Sequence, residues 1–295
     1  MTLRIGVDGG ATKTECILVD DAGRIVARHL AAGCNPNTVG SDRAIKIVTD
    51  ALEAVQKQAP AGSSLSLTLL CMAGSPLLWK KFAGSLNGFG RVEAHKDSLP
   101  VLELATAGQP GLVLHAGTGS FVAARGPDGS LHHAGGLGWR FGDGGSGYDI
   151  GRRAIGRALL EMQGWAPSSQ LGVIVQRHLE MEDWTEMMRS LYGENSPNAR
   201  IAAVAPAVIN LAAAGDQPAS EIVLASASEL LDLACHVAAK LFPGIPSLAI
   251  RAGLSGPILN HPFLRAALFA RAPFSFIPVE EPPVEGLRRM LARLV

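Results

Sequence analysis

Short apolar, β-rich runs at residues 3–7 and 15–19 flank a glycine turn, and a third run at 24–29 follows DDAG. Such runs separated by turn residues predict an antiparallel three-stranded meander at the start of the chain. The period then changes. Ser41 can cap a helix, and Ile45, Val48, Leu52 and Val55 recur at helical spacing through SDRAIKIVTDALEAVQKQ, which predicts a helix with one apolar face. A buried-type strand at 65–72, a helix near 77–86 and a short strand at 90–94 follow. The run at 112–115 is another apolar strand that ends in the turn AGTGS and returns through a strand at 121–125. This repeats the opening of the chain. Gly10 and Gly119 hold corresponding places in two units of strand, glycine turn and strand, which suggests an internal duplication.

Helical periodicity dominates the second half, at residues 146–162, 199–213 and 220–241, and Pro243, Gly244 and Pro246 stop the last of these. A strand at 248–252, the turn GLSGP, a helix near 262–270, a strand at 274–278 and a final helix at 284–294 complete the pattern. No low-complexity linker interrupts it.

Composition narrows the possibilities. A chain of 295 residues exceeds the roughly 100 to 200 residues of one typical core, so two lobes are expected. Hydrophobic residues at 47% and charged residues at 18% mark a compact globular protein rather than a disordered one. The formal net charge is zero, with 26 basic and 26 acidic residues and no basic run, which disfavours nucleic acid as a partner. Cys16, Cys34, Cys71 and Cys235 are far apart without a CxxC pair, so neither a disulfide framework nor a clustered metal site is written here, and a reduced cytoplasmic location is expected. The chain runs at once into the strand-like LRIGVDGG, with no cleavable leader pattern and no long uncharged apolar stretch; neither export nor membrane insertion is expected.

Five segments carry candidate chemistry. In DGGATKT, Gly9 and Gly10 remove side chains that would block a phosphate, and the amides and hydroxyls of Thr12 and Thr14 can donate to it. Asp8 can hold Mg2+ through water, and Lys13 either touches phosphate or is solvated. An ordinary hairpin explains the same residues equally well. In AGTGS, Gly117, Thr118, Gly119 and Ser120 form a second donor-rich turn able to wrap a phosphate. Neither turn matches the Walker or dinucleotide patterns. Residues 135–153, GGLGWRFGDGGSGYDIGRR, hold eight glycines before a helix whose N-terminus can bind an anion or substrate, with Asp143 as the polar anchor or as a residue bonding local amides. Asp97 in HKDSLP is a candidate general base or a helix cap. Gly253, Leu254, Ser255 and Gly256 in GLSGP would admit a flat ring such as adenine.

Taken in order, these segments resemble the BadF/BadG/BcrA/BcrD ATPase family and, within it, the N-acetylglucosamine and glucosamine kinases. DGGATKT resembles its first phosphate loop, GCNPNTVG a sugar-side loop and HKDSLP the segment with the catalytic Asp. AGTGS resembles the second phosphate loop, GGLGWRFGDGGSGYDIG the pattern GGWGxxxGDEGSGYWIG, and RAGLSGP the adenosine loop. The resemblance implies an α/β fold of two ribonuclease-H-like, actin-like ATPase lobes, residues 1–115 and 116–295, with ATP in an interlobe cleft and the last helix returning to the N-terminal lobe. It implies phosphorylation of an amino sugar at O6, with ATP and Mg2+. Asp97 would be the base, Asn35, Gly136, Leu137, Gly138 and Asp143 sugar contacts, and Asp8, Thr12 and Thr118 the Mg-phosphate set. A homodimer is also implied.

Two positions depart from the pattern, Leu137 for Trp and Gly144 for Glu, and both fall on the sugar side. The sugar therefore stays open among N-acetylglucosamine, glucosamine, another hexose and a sugar acid. The wider family also contains ATP-driven activators of radical dehydratases that carry an iron-sulfur cluster, whose cysteine before the GTG turn is absent here. The related ROK repressors add an N-terminal DNA module and a zinc cysteine signature, neither of which is expected for this chain.

Overall fold

The structure is a computed structural model in which residues 1–194 and 197–293 are described. It divides into two compact units, one formed by Met1–Gly108 with Glu281–Val295 and the other by Gln109–Glu280. In the first, β1 (Thr2–Gly9), β2 (Lys13–Asp20) and β3 (Ile25–Ala32) form the expected meander. It continues through α1 (Pro36–Val39), α2 (Ser41–Gln56), β4 (Ser64–Met72), α3 (Pro76–Ser85), β5 (Arg91–Lys96) and α4 (Ser98–Thr106). Its sheet has the order β3-β2-β1-β4-β5, with β1, β4 and β5 parallel. Leu3, Ile5 and Val7 of β1 are fully buried against one sheet neighbour or another, and α2 covers the sheet with Ala44, Val48, Ala51, Leu52 and Val55.

The second unit contains β6 (Gly111–Ala116), β7 (Ser120–Arg125), β8 (Leu131–Gly135), α5 (Gly147–Met162), α6 (Gln170–Leu179) and α7 (Trp184–Gly193). After these come α8 (Asn198–Ala202), α9 (Ala205–Ala213), α10 (Gln217–Leu241), β9 (Arg251–Ser255), α11 (Pro262–Arg271) and β10 (Phe276–Val279). Its sheet, β10-β9-β6-β7-β8, repeats the first when taken from the other edge, with β6-β7-β8 antiparallel and β6, β9 and β10 parallel. The two halves are thus equivalent in strand order and direction, and each order is that of a ribonuclease-H-like unit.

The last helix, α12 (Pro283–Arg293), belongs to the first unit. Its close seat depends on two glycines: a Cβ on Gly286 would lie 2.0 Å from the Pro100 carbonyl oxygen of α4, and one on Gly6 of β1 would lie 2.7 Å from Leu287. Arg293 ion-pairs with the buried Glu103 of α4. Leu294, the end of the helix expected from the sequence, lies outside the described residues.

Several boundaries differ from the expectations. The division falls at Gly108 rather than at residue 115, because β6 is the central strand of the second sheet. The helix expected at 199–213 is two helices, α8 and α9, and the strand expected at 248–252 starts only at Arg251. No expectation covered α4, β8, α6 or α7. Every residue of α4 is buried, so it has no polar face to create a period. Helix α10 is long and apolar enough to cross a membrane by length and composition, alone among the described residues. Its Val223, Leu230, Leu231, Ala234 and Ala238 nevertheless lie in the core of the second unit, as in a core helix.

Candidate functional site

In the first unit, Asp8 stands near the end of β1 and Asp97 directly after β5, at the same end of the parallel strands, with β4 between them. Asp97 is held by its amide, which donates to the Met72 carbonyl at 3.3 Å. It occupies the position before α4, yet its side chain makes no capping hydrogen bond to that helix. Burial raises its carboxyl pKa, against Lys96 and the Ser98 amide, which lower it. Asp8 is raised further, to about 7, chiefly by burial and next by the negative charge of Asp97, with Lys13 opposing. Two crowded, partly desolvated carboxylates favour a cation between or beside them.

The hairpin beyond Asp8 is braced from the GCN turn. The Cys34 amide donates to the Gly10 carbonyl at 3.0 Å, and a Cβ on Gly33 would lie 1.9 Å from the Ala11 carbonyl oxygen, so only glycine fits. The glycines of the hairpin differ in purpose. The space beside Gly9 is filled by Met72 and Cys34, whereas Gly10 meets only the Lys13 carbonyl at 3.3 Å. Gly10, unlike Gly9, has no side chain packed against it. Thr12 is exposed, but Thr14 is fully buried and donates its hydroxyl to the Ala32 carbonyl at 2.8 Å, which removes it from the expected phosphate donors. Lys13 pairs with buried Glu15 at 2.9 Å. Asn35 caps α1, accepting from the Asn37 amide at 3.0 Å, and lies half-buried beside Gly74.

In the second unit, three segments meet around the turn at 117–120. The first two amides of α5, Gly147 and Tyr148, donate to the carbonyls of Gly117 at 2.8 Å and Thr118 at 3.2 Å. The next amide, Asp149, is taken by the Ser146 cap at 3.1 Å. The helix N-terminus therefore organises the turn and is not the free anion site expected from the sequence. Gly117 is half-buried, with His115 and Pro257 in ordinary contact range, and Thr118 is exposed, but Ser120 is buried and donates its hydroxyl to the Gly144 carbonyl at 2.7 Å. Gly256, at φ +89°, packs so tightly on the end of β6 that a Cβ would lie 2.3 Å from the Ala116 carbonyl oxygen. Gly253 and Leu254 lie inside β9, buried, rather than in a turn, and Ser255 lies within 3.2 Å of His115 Nδ1. Only Gly256 of the four is at the loop. His115 stacks on Phe121 at 4.9 Å, and burial drives its pKa down to about 4, so it stays neutral.

Asp143 has a left-handed backbone, φ +69°, unusual for a residue with a side chain. Its carboxylate accepts from the Ser120 amide at 3.5 Å and also from the Gly138 amide, while burial raises its pKa. It thus ties the 136–142 loop to the 117–120 turn, the local role open from the sequence. Gly136 and Gly138 have φ of +61° and +82°, and Leu137 is exposed.

Two residues, both on α10, were not anticipated from the sequence: Ser226 and Glu229. Ser226 of α10 accepts from the Gly145 amide at 3.0 Å and donates to buried Asp149 at 2.7 Å. Asp149 also accepts from Arg152 at 2.7 Å and Arg153 at 2.8 Å, and Arg153 reaches Glu229 of α10. The signal was Ser226 and Glu229, two polar residues three apart on an apolar helix face.

The chain is similar to several sugar kinases over most of its length. The N-acetyl-D-glucosamine kinase of Dictyostelium discoideum is 27% identical over 253 residues, 80% of this chain and 79% of that one. The glucosamine kinase of Vibrio cholerae is 26% identical over 243 residues, 78% of each. A solved structure from Chromobacterium violaceum, bearing a provisional N-acetylglucosamine kinase name, superposes with a TM-score of 0.78 at 27% identity and 98% coverage of both chains. The family model for the BadF/BadG/BcrA/BcrD ATPases matches residues 5–246, a span that takes in both glycine turns and strands β6 to β8 of the second sheet; the chain belongs to the BadF/BadG/BcrA/BcrD ATPase family.

Proposed function

We propose that the protein transfers the γ-phosphoryl group of ATP to a hydroxyl, O6 by resemblance, of glucosamine or N-acetylglucosamine. The observation that carries this is the pair Asp8 and Asp97, raised in pKa and set beside a braced glycine hairpin. Asp97 takes the proton of the sugar hydroxyl, the sugar oxygen bonds to the γ-phosphorus, and the bond from that phosphorus to the bridging oxygen of ADP breaks. A positioned base of this kind supplies about 10² to 10⁴ of the rate, and charge stabilisation most of the remainder. Asp8 would hold Mg2+, which neutralises phosphate charge when bound. Among the described residues no group of three or more His, Cys, Asp or Glu forms a metal cage, and Mg2+ is commonly held by one or two carboxylates with waters and phosphates. Thr12 of the first unit and Thr118 of the second are each exposed, and each could donate its hydroxyl to a phosphate.

The alternative of a radical-enzyme activator is less well supported. Cys16, Cys34 and Cys71 are buried, and burial raises their thiol pKa values, which suits packing rather than cluster ligation. A cytoplasmic location and a homodimer belong to the same proposal and rest on the family alone. A coupled ADP-release screen over amino sugars, hexoses and sugar acids tests it: glucosamine or N-acetylglucosamine should raise ADP production well above background. If no sugar does, the proposal is wrong.

A further inference from the structure

One stripe of α10 lies along the glycine segment. Ser226, Glu229, Leu230 and Leu233 fall three and four positions apart, on one helix face, and each meets a glycine. Ser226 binds the Gly145 amide, Leu230 fills the space beside Gly145, and Leu233 that beside Gly135. Glu229 does the same at Gly144: a Cβ there would lie 2.7 Å from Glu229 Oε2 and 3.0 Å from its Cβ. A side chain at 144 would therefore have to displace the carboxylate end of Glu229. A carboxylate from another helix thus lies against the backbone at 144.

The other Glu229 oxygen, Oε1, is held by Arg153, which Asp149 in turn anchors at 2.8 Å. Glu229 itself is half-exposed and borders a cavity of about 750 Å³ that Trp139, Tyr148 and Arg152 also line. Asp149, the other carboxylate there, is spent: Arg152 takes Oδ1, and Arg153 and Ser226 take Oδ2. Among the described residues, Glu229 Oε2 accepts no hydrogen bond. An ionised carboxylate can only accept, so whatever faces it must donate.

We infer that Glu229 is a sugar-binding residue whose free oxygen accepts a hydrogen bond from a ring hydroxyl or amino group of a sugar lying on the glycine segment. This rests on the kinase reading. Sites built to hydrogen-bond a substrate donor discriminate strongly against losing the pair.

The test is steady-state kinetics of Glu229→Ala, Glu229→Gln, Gly144→Glu and the double variant Gly144→Glu/Glu229→Ala, with glucosamine, N-acetylglucosamine and glucose as sugars. For Glu229→Ala and Glu229→Gln the sugar KM should rise about tenfold or more, with the ATP KM unchanged and kcat altered by less than about threefold. Gly144→Glu alone should lower thermal stability and sugar affinity, since two carboxylates would compete for one space, and the double variant should regain much of both. A Glu229→Ala variant with a sugar KM within about twofold of the parent overturns the inference, as does an equal rise in both KM values. Failure of the kinase reading looks different: the parent chain itself would turn over none of the sugars.

Discussion

The negative charge of Asp97 is the second largest cause, after burial, of the rise of the Asp8 pKa to about 7. An acid raised in the fold stabilises the protein fully only below its unfolded value of 3.8, and that contribution is lost as pH climbs through about 7. Asn at position 8 has no such dependence. In metal-free buffer, Asp8→Asn should match the parent near pH 4 and exceed its unfolding free energy by roughly 2 to 4 kcal/mol at pH 8, read by urea denaturation. A parent as stable as the variant at pH 8 would show that Asp8 is not crowded.

His115 predicts the opposite slope. Its folded pKa lies near 4, below the usual 6.5, through burial alone, so its stabilising effect is present above pH 6.5 and fades as pH falls through 4. His115→Phe should remove part of the stability loss that the parent suffers between pH 7 and pH 4.5. Unchanged slopes in the two proteins would place the acid sensitivity elsewhere.

At Gly33 the crowding is backbone against backbone, 1.9 Å from a Cβ to the Ala11 carbonyl oxygen. Gly33→Ala should cost about 1 to 3 kcal/mol and, by shifting residues 10–12, raise the ATP KM about tenfold or more. Thermal unfolding and ATP titration check the two parts separately.

Ser226→Ala would strand the Gly145 amide and one Asp149 bond, both buried. A loss of about 1 to 3 kcal/mol is expected in chemical denaturation. A neutral outcome would mean that water replaces the hydroxyl.

How much of this could be read in the sequence depended on where the pattern was exposed. The meander of β1 to β3 followed from apolar runs set between turn residues and helix α2 from helical spacing, and the likeness of the hairpins at Gly10 and Gly119 foreshadowed the equivalence of the two sheets. Helix α4 left no such trace, because its Leu99, Val101, Leu102 and Leu104 are buried among equally buried neighbours. In the candidate site, the motifs located the turns, but not which atoms remain available. Thr14 and Ser120 look like free hydroxyls in the sequence and are hydrogen-bonded to backbone in the fold. Glu229 lies 85 positions beyond Gly144 and enters the site only because α10 crosses the glycine segment, a tertiary fact without a local signature.

The most direct test is Asp97→Asn, assayed for sugar-dependent ADP release and, in parallel, for ATP binding and far-UV circular dichroism. Sugar phosphorylation should fall about 10² to 10⁴-fold while ATP affinity and the spectrum stay with the parent. A variant that still phosphorylates the sugar at near-parental rate would contradict the account of Asp97 as the base.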